Sequence, residues 1–336
     1  MFRKNTGIGL DIGSRQIRLV KMAKKGDNIK IIGFGSIPVP YGAYEAGNIV
    51  DPAKIGRCLA DVVNQLQLQG QEVVSAVSDQ KMYTRTLIFP RMALKDLRQA
   101  AFFEATAFLP IPAKEASMDI YPLREFQDGE GKKTEIFFVA VRRSQIDNLQ
   151  AVCEMAGLRL VAVEIEPLAI RRIIADESTT NVIGLLKVGA SHSSLSFFQG
   201  HRLLFHRPLP LGSSAYYHPS RYGNESNELP DDIKILIEEK WKYLNMAFAR
   251  EVNQAVNQFR VQQGKELVKI IMCGGGATLN GLEETLKKYL LLDVVIADSI
   301  NRIVMPPSVE KLSKEKMLQL KHEFIVAMGL GAREIV

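Results

Sequence analysis

Short apolar runs, alternating with polar residues and closed by glycine or proline, open the chain and predict strands near Gly7–Ile12, Ile17–Ala23 and Asn28–Ile37. The third is rich in β-branched residues and ends at Pro38 and Pro40. The period then changes. Ile55, Leu59, Val62, Val63 and Leu66 recur at helical spacing behind Asp51-Pro52, an acid suited to the cap and a proline suited to the first turn. Gln71–Val77 returns to strand character.

From Met82 to about Glu164 the pattern describes a small α+β insert. It contains a strand at Tyr83–Phe89 and a helix at about Leu94–Phe108 with Leu94, Leu97, Ala101, Ala105 and Phe108 on one face. Two strands, Ser117–Phe126 and Thr134–Val141, flank a glycine turn at Asp128-Gly129-Glu130-Gly131. A helix at Ser144–Ala156 stops at Gly157, and a strand follows at Leu158–Glu164. The Pro167–Ala175 helix closes this half.

The second half repeats the opening, with strands expected at Val182–Val188, Ser193–Gln199 and Arg202–Arg207. The polar stretch Gly212–Pro230 lacks any period and is too long for an ordinary connection, so it reads as a lid or a disordered segment. A long amphipathic helix begins at Asp231 and ends at Gly264. A strand running into Gly274-Gly275-Gly276-Ala277, another helix, a strand at Asp293–Ala297 and a last helix from about Lys314 complete the chain.

Two glycine hairpins stand out in this pattern. Leu10-Asp11-Ile12-Gly13-Ser14 is echoed by Leu186-Lys187-Val188-Gly189-Ala190, with lysine where the first copy has aspartate. Glycine lets backbone N–H groups approach a phosphate without an intervening Cβ. Two hairpins and a strand-to-helix glycine loop are the layout of a two-lobed phosphate clamp, as in actin-like and sugar-kinase-like proteins. The β-β-β-α-β succession at the start is the core unit of the actin-like fold.

At 336 residues the chain has room for two lobes, read as 1–175 and 176–336, each with a mixed sheet flanked by helices. The insert at about 82–164 belongs to the first, and the C-terminal helix packs back toward that lobe. Composition is that of a soluble globular protein, 46% hydrophobic and 24% charged. No apolar run approaches the roughly 20 residues of a membrane span, and no signal peptide precedes the first strand, so a cytoplasmic location is expected. Three scattered cysteines, Cys58, Cys153 and Cys273, read as buried thiols. The net charge of +6 is spread over pairs such as Arg142-Arg143 and Lys287-Lys288 without interleaved aromatics, which argues against a nucleic-acid groove. The five histidines, His192 among them, lack metal-ligand spacing and read as ordinary core or surface residues.

The chain resembles the type IV pilus assembly protein PilM family, actin-like relatives of the division protein FtsA. The resemblance rests on Leu10-Asp11-Ile12-Gly13-Ser14, Leu87-Ile88-Phe89-Pro90-Arg91, and Glu104-Ala105-Thr106-Ala107-Phe108-Leu109-Pro110. Val163-Glu164-Ile165-Glu166-Pro167, Cys273-Gly274-Gly275-Gly276-Ala277 and Ala327-Met328-Gly329-Leu330-Gly331 follow in the same order. It implies an actin-like fold with an ATP cleft between the lobes, in a protein that lies beneath the pilus machinery and grips the short cytoplasmic tail of a PilN-like membrane partner beside the insert. FtsA-like proteins carry a further amphipathic membrane helix; none follows the last shared helix here, so attachment to the inner membrane is expected through the partner.

The resemblance also assigns a cofactor site: Asp11, Gly13 and Ser14 in the first hairpin, Lys187 and Gly189 in the second, and Gly274, Gly275 and Gly276 in the third loop. Asp11 would orient magnesium-bound water. The family carries an acid at the place of Lys187. Charges about 4 Å apart interact by roughly 4 kcal/mol at an effective dielectric near 20, so the lysine would repel a divalent cation and attract a phosphate. Alternatively, Lys187 points away and pairs with a surface acid. Nucleotide binding with weak or absent hydrolysis is the resulting expectation, and an adaptor is the leading reading. An active or polymerising ATPase comes second. A sugar-kinase-like enzyme comes last, since no catalytic carboxylate beside the cleft is evident in the sequence.

Overall fold

The computed structural model describes residues 5–26, 28–174, 180–216, 231–297, 303–306 and 313–335. Strands β1 (Thr6–Ile12), β2 (Gln16–Lys25) and β3 (Asn28–Pro38) form an antiparallel meander. A small hairpin, β4 (Tyr44–Glu45) and β5 (Asn48–Ile49), leads into helix α1 (Pro52–Gln65). The Asp51 side chain accepts from the Lys54 N–H, and Pro52 occupies the first turn, where its missing donor costs nothing. The next strand, β6 (Glu72–Val77), lies parallel to β1.

The inserted unit is a three-stranded sheet of β7 (Tyr83–Pro90), β8 (Ala116–Asp128) and β9 (Gly131–Arg142), with β9 central. Helix α2 (Leu94–Ala105) covers one face and buries Leu97, Ala101 and Ala105 against Ile136, Phe138 and Ala140. Helix α3 (Arg143–Met155) and strand β10 (Arg159–Ile165), which the sequence pattern groups with the insert, belong elsewhere. β10 pairs parallel to β6, and α3 packs on α1. A parallel strand needs a crossover helix to reach its place, and α3 is that crossover. Helix α4 (Glu166–Ile173) then starts directly from the end of β10.

A second meander follows: β11 (Val182–Val188), β12 (Ser193–Gln199) and β13 (Arg202–Leu209). Of the stretch expected as a lid, Ser213–Tyr216 make one 3₁₀ turn, and 217–230 lie outside the described residues. Helix α5 (Asp231–Gln263) leads to β14 (Leu267–Cys273), parallel to β11. Helix α6 (Leu282–Leu290) crosses over to β15 (Asp293–Ile296), parallel to β14. The two large sheets thus share a plan, an antiparallel meander whose first strand carries parallel neighbours on its other side. Their orders are β10-β6-β1-β2-β3, to which a late strand β16 (Ile303–Val304) adds beside β3, and β13-β12-β11-β14-β15.

The chain then returns to the first sheet. β16 (Ile303–Val304) pairs with β3, and the expected last helix is two helices, α7 (Lys314–Glu323) and α8 (Ile325–Gly331), separated at Phe324. Helix α8 is buried throughout and lies on β1 and α4. Glycines permit that approach: a Cβ at Gly9 would sit 2.0 Å from the Ala327 carbonyl oxygen, and one at Gly329 2.1 Å from that of Ala169. One hydrophobic cluster joins Ile8, Leu10, Ile170 and Met328 to Ile183, Leu185, Phe198 and Ile271 of the second sheet. The lobes therefore share a core at their junction, and the second sheet has its own core beneath α5 and α6.

Candidate functional site

Between the sheets lies a cleft of about 340 Å³, lined by the three glycine turns and by Arg15, Arg18, Tyr44, Glu166, His192 and Glu323. Seven of the eight residues assigned by resemblance meet here: Asp11, Gly13, Ser14, Lys187, Gly189, Gly274 and Gly275. Gly276 does not line it. Its N–H donates to the Val188 carbonyl at 3.0 Å, and a Cβ there would strike Val188 Cγ1 at 2.6 Å. It is a packing glycine that holds the third loop against β11.

The hairpins are tighter than the pattern suggests. Gly13 spends its N–H on the Gln16 carbonyl at 3.0 Å, closing the first turn, so it is not the phosphate donor expected of it. At Gly189 a Cβ would lie 2.4 Å from the His192 carbonyl oxygen, and Gly274 sits at φ +87° under Val188. Only glycine fits either position. The carbonyls of Gly189 and Ala190 accept from the N–H groups of Ser213 and Ser214, which joins the second hairpin to the loop after β13.

Asp11 and Lys187 occupy corresponding places near the ends of β1 and β11, and the structure settles the lysine differently from either sequence reading. Lys187 is 8% exposed and turned toward the other lobe. Its Nζ lies 3.2 Å from Asp79 Oδ2 and donates a hydrogen bond to Glu166 Oε2. Asp79 opens the 3₁₀ turn after β6, and Glu166 opens α4 after β10. These are the carboxyl ends of neighbouring parallel strands, where open α/β sheets present their ligand sites. The lysine neither reaches out alone for a phosphate nor pairs with a surface acid. It is a buried bridge between lobes.

Around it the polar groups are closely tied. His192 Nε2 donates to Asp79 Oδ1 at 2.6 Å, and His192 Nδ1 is 3.1 Å from Ser191 Oγ. Arg18 faces Asp11 at 3.6 Å, its register partner across β1–β2. Burial acts to raise the Asp79 pKa, yet the Lys187 charge and the His192 hydrogen bond outweigh it and hold the carboxyl well below its usual range. Glu166 goes the other way. Burial, reinforced by the charges of Asp79 and Asp11, outweighs the pull of Lys187 and pushes it up to about 8. Asp11 is also raised by burial, against the pull of Arg18 and Lys187. Lys187 itself is raised, because Asp79 and Glu166 overcome its desolvation. Behind it, burial drives His206 down to about 4, with Nδ1 2.9 Å from Ser196 Oγ.

Asp79 and Arg18 carry no assigned role in the sequence reading, Glu166 enters it only within the motif Val163–Pro167, and His192 only as an ordinary core or surface histidine. One signal was present: a lysine inside the apolar strand Leu185-Leu186-Lys187-Val188 demands a buried counter-charge. The sequence does not say which of the 37 acids supplies it.

Two mixed sheets related by a shared plan, closing a glycine-lined cleft, with a small subdomain inserted in the first lobe, define an actin-like ATPase fold. Among solved structures, a chain described as the "PilM-PilN type IV pilus biogenesis complex" superposes with a TM-score of 0.84 at 23% identity, covering 100% of both chains. Ethanolamine utilization protein EutJ from Carboxydothermus hydrogenoformans follows at 0.53 and 11% identity, over 98% of this chain and 90% of that one. The family described as "Type IV pilus assembly protein PilM" matches residues 9–335, and the chain belongs to that family. Cell division protein FtsA of Bacillus subtilis (strain 168) is 22% identical over 238 residues, 61% of this chain and 51% of FtsA. The chain thus spans about half the length of that curated relative. Among the described residues no helix is long and apolar enough to cross a membrane.

Proposed function

We propose that this protein is a cytoplasmic adaptor of type IV pilus assembly that holds the short cytoplasmic tail of a PilN-like, single-span membrane protein, and is thereby kept at the inner membrane. The observation that carries the reading is the end-to-end correspondence of its backbone with a chain from a PilM–PilN complex. The insert offers a surface for such a tail. Thr86, Phe137 and Tyr121 stand opposite one another across β7, β9 and β8, and Ile88 follows on the same side, the one away from α2. Phe137 is buried in the core shared by the lobes, whereas Ile88 and Tyr121 are 54% and 47% exposed beside it. Apolar residues open to solvent at the edge of a packed face suit an amphipathic peptide.

The cleft is the second functional element, a nucleotide-phosphate site that sets how the lobes sit rather than an efficient hydrolytic centre. The Arg15, Arg18 and Lys187 side chains that line it suit phosphate oxygens. Calorimetric titration with a synthetic PilN-like tail tests the adaptor reading. Saturable binding, abolished by Ile88→Asp with Tyr121→Ala in a variant that melts like the wild type, is expected. A tail that binds neither with nor without nucleotide overturns it.

A further inference from the structure

Three acids at the cleft, Asp11, Asp79 and Glu166, already face cations from the chain itself. Asp79 gives one oxygen to His192 and the other to Lys187, Glu166 gives Oε2 to Lys187, and Asp11 faces Arg18. Magnesium asks for near-octahedral oxygen ligands at about 2.0–2.1 Å and binds through free carboxylates and water. That demand does not fit here, because an ammonium group stands between the two deepest acids. Among the described residues, no group of three or more His, Cys, Asp or Glu side chains is disposed to hold a metal ion. At the water-bridged magnesium position expected at Asp11, Arg18 already faces the carboxylate.

A phosphate meets a different set of groups. Lys187 has three N–H donors, of which Glu166 takes one, while Asp79 Oδ2 lies 3.2 Å away as an ion pair. Arg18 Nε is buried with no hydrogen-bond partner among the described residues, and Arg18 lines the cleft. With Glu166 protonated, the three cations Lys187, Arg18 and Arg15 equal in number the acids Asp11 and Glu323 of the lining and Asp79 behind Lys187, so the site carries no formal excess of negative charge. We propose that Lys187, assisted by Arg18, is the resident cation of this cleft, so that it accepts a nucleoside triphosphate as the free polyanion and not as its magnesium complex. The inference rests on the cleft being the nucleotide site proposed above. It adds a consequence: a phosphate oxygen reaching Lys187 competes with Glu166, and so acts on the bridge between the lobes.

The test is calorimetric titration of the full chain with ATP, once in excess magnesium chloride and once in EDTA. Affinities within about threefold of each other are expected. Binding stronger by about tenfold or more with magnesium overturns the proposal but leaves the nucleotide reading standing. Absence of binding in both buffers overturns both, while tail binding is read separately. Arg18→Gln, a substitution outside the buried bridge, should weaken ATP in EDTA by about tenfold or more, the worth of one hydrogen bond to a charged group. Unchanged affinity in that variant counts against Arg18 as a ligand group. Lys187→Gln should weaken binding in EDTA and make it magnesium-responsive. A folded Lys187→Gln protein that binds as wild type in EDTA overturns the role given to the lysine.

Discussion

Lys187→Met removes the cation from the bridge while keeping a chain of similar length. Asp79, whose side chain is fully buried, then keeps only the His192 hydrogen bond, and Glu166 loses its partner. Breaking a buried pair on one side costs about 3–5 kcal/mol, because the remaining charge is left desolvated. At about 2–4 °C per kcal/mol for a domain of 150–250 residues, the melting temperature should drop by roughly 6–20 °C. The pH dependence carries the sign. In the wild type the Asp79 pKa is depressed, so its contribution is fully present above the unfolded value near 3.9 and is lost only as pH falls through the folded value. In the variant, burial without the lysine raises that carboxyl, so the deficit should shrink between pH 7 and pH 5 as Asp79 takes up a proton. Differential scanning fluorimetry at the two pH values, with Lys187→Met/Asp79→Asn alongside, measures this. The double variant should recover most of the loss, since no unpaired ion remains. A single variant melting within about 2 °C of wild type, or a double variant whose losses simply add, would refute the bridge.

Two further outcomes follow from the same packing. Glu166 is raised to about 8 from 4.5, so the stability it contributes is present below 4.5 and is lost as pH rises through about 8. Wild-type melting should therefore fall between pH 7 and pH 9, above the range in which the buried neutral His206 acts in the opposite sense, and Glu166→Gln should flatten that slope; parallel slopes in the two proteins would contradict the shift. Gly329→Ala places a methyl group 2.1 Å from the Ala169 carbonyl oxygen and should cost about 1–3 kcal/mol by overpacking α8 on α4, measurable by urea unfolding.

Strand periodicity and glycine turns specify local structure directly, which is why Val182–Val188 and Ser193–Gln199 are the strands β11 and β12 and why the hairpins were legible. The family motifs, read in order, carried the fold and the assignment to pilus assembly. The extent of the insert was not legible, because the pattern of α3 and β10 says that they are helix and strand but not which sheet receives the strand. Pairing with β6 decides that, across more than 80 residues of chain. Burial of Lys187 in an apolar strand could be anticipated, and with it the need for a counter-charge. Its partners could not. Asp79 and Glu166 stand at the ends of adjacent parallel strands of the first sheet, and Lys187 at the end of a strand in the second. Sequence determined which residues could carry charge and where the chain turns. Tertiary structure alone decided that two acids from one lobe meet a lysine from the other, because a charge taken out of water is stable only where folding brings its opposite.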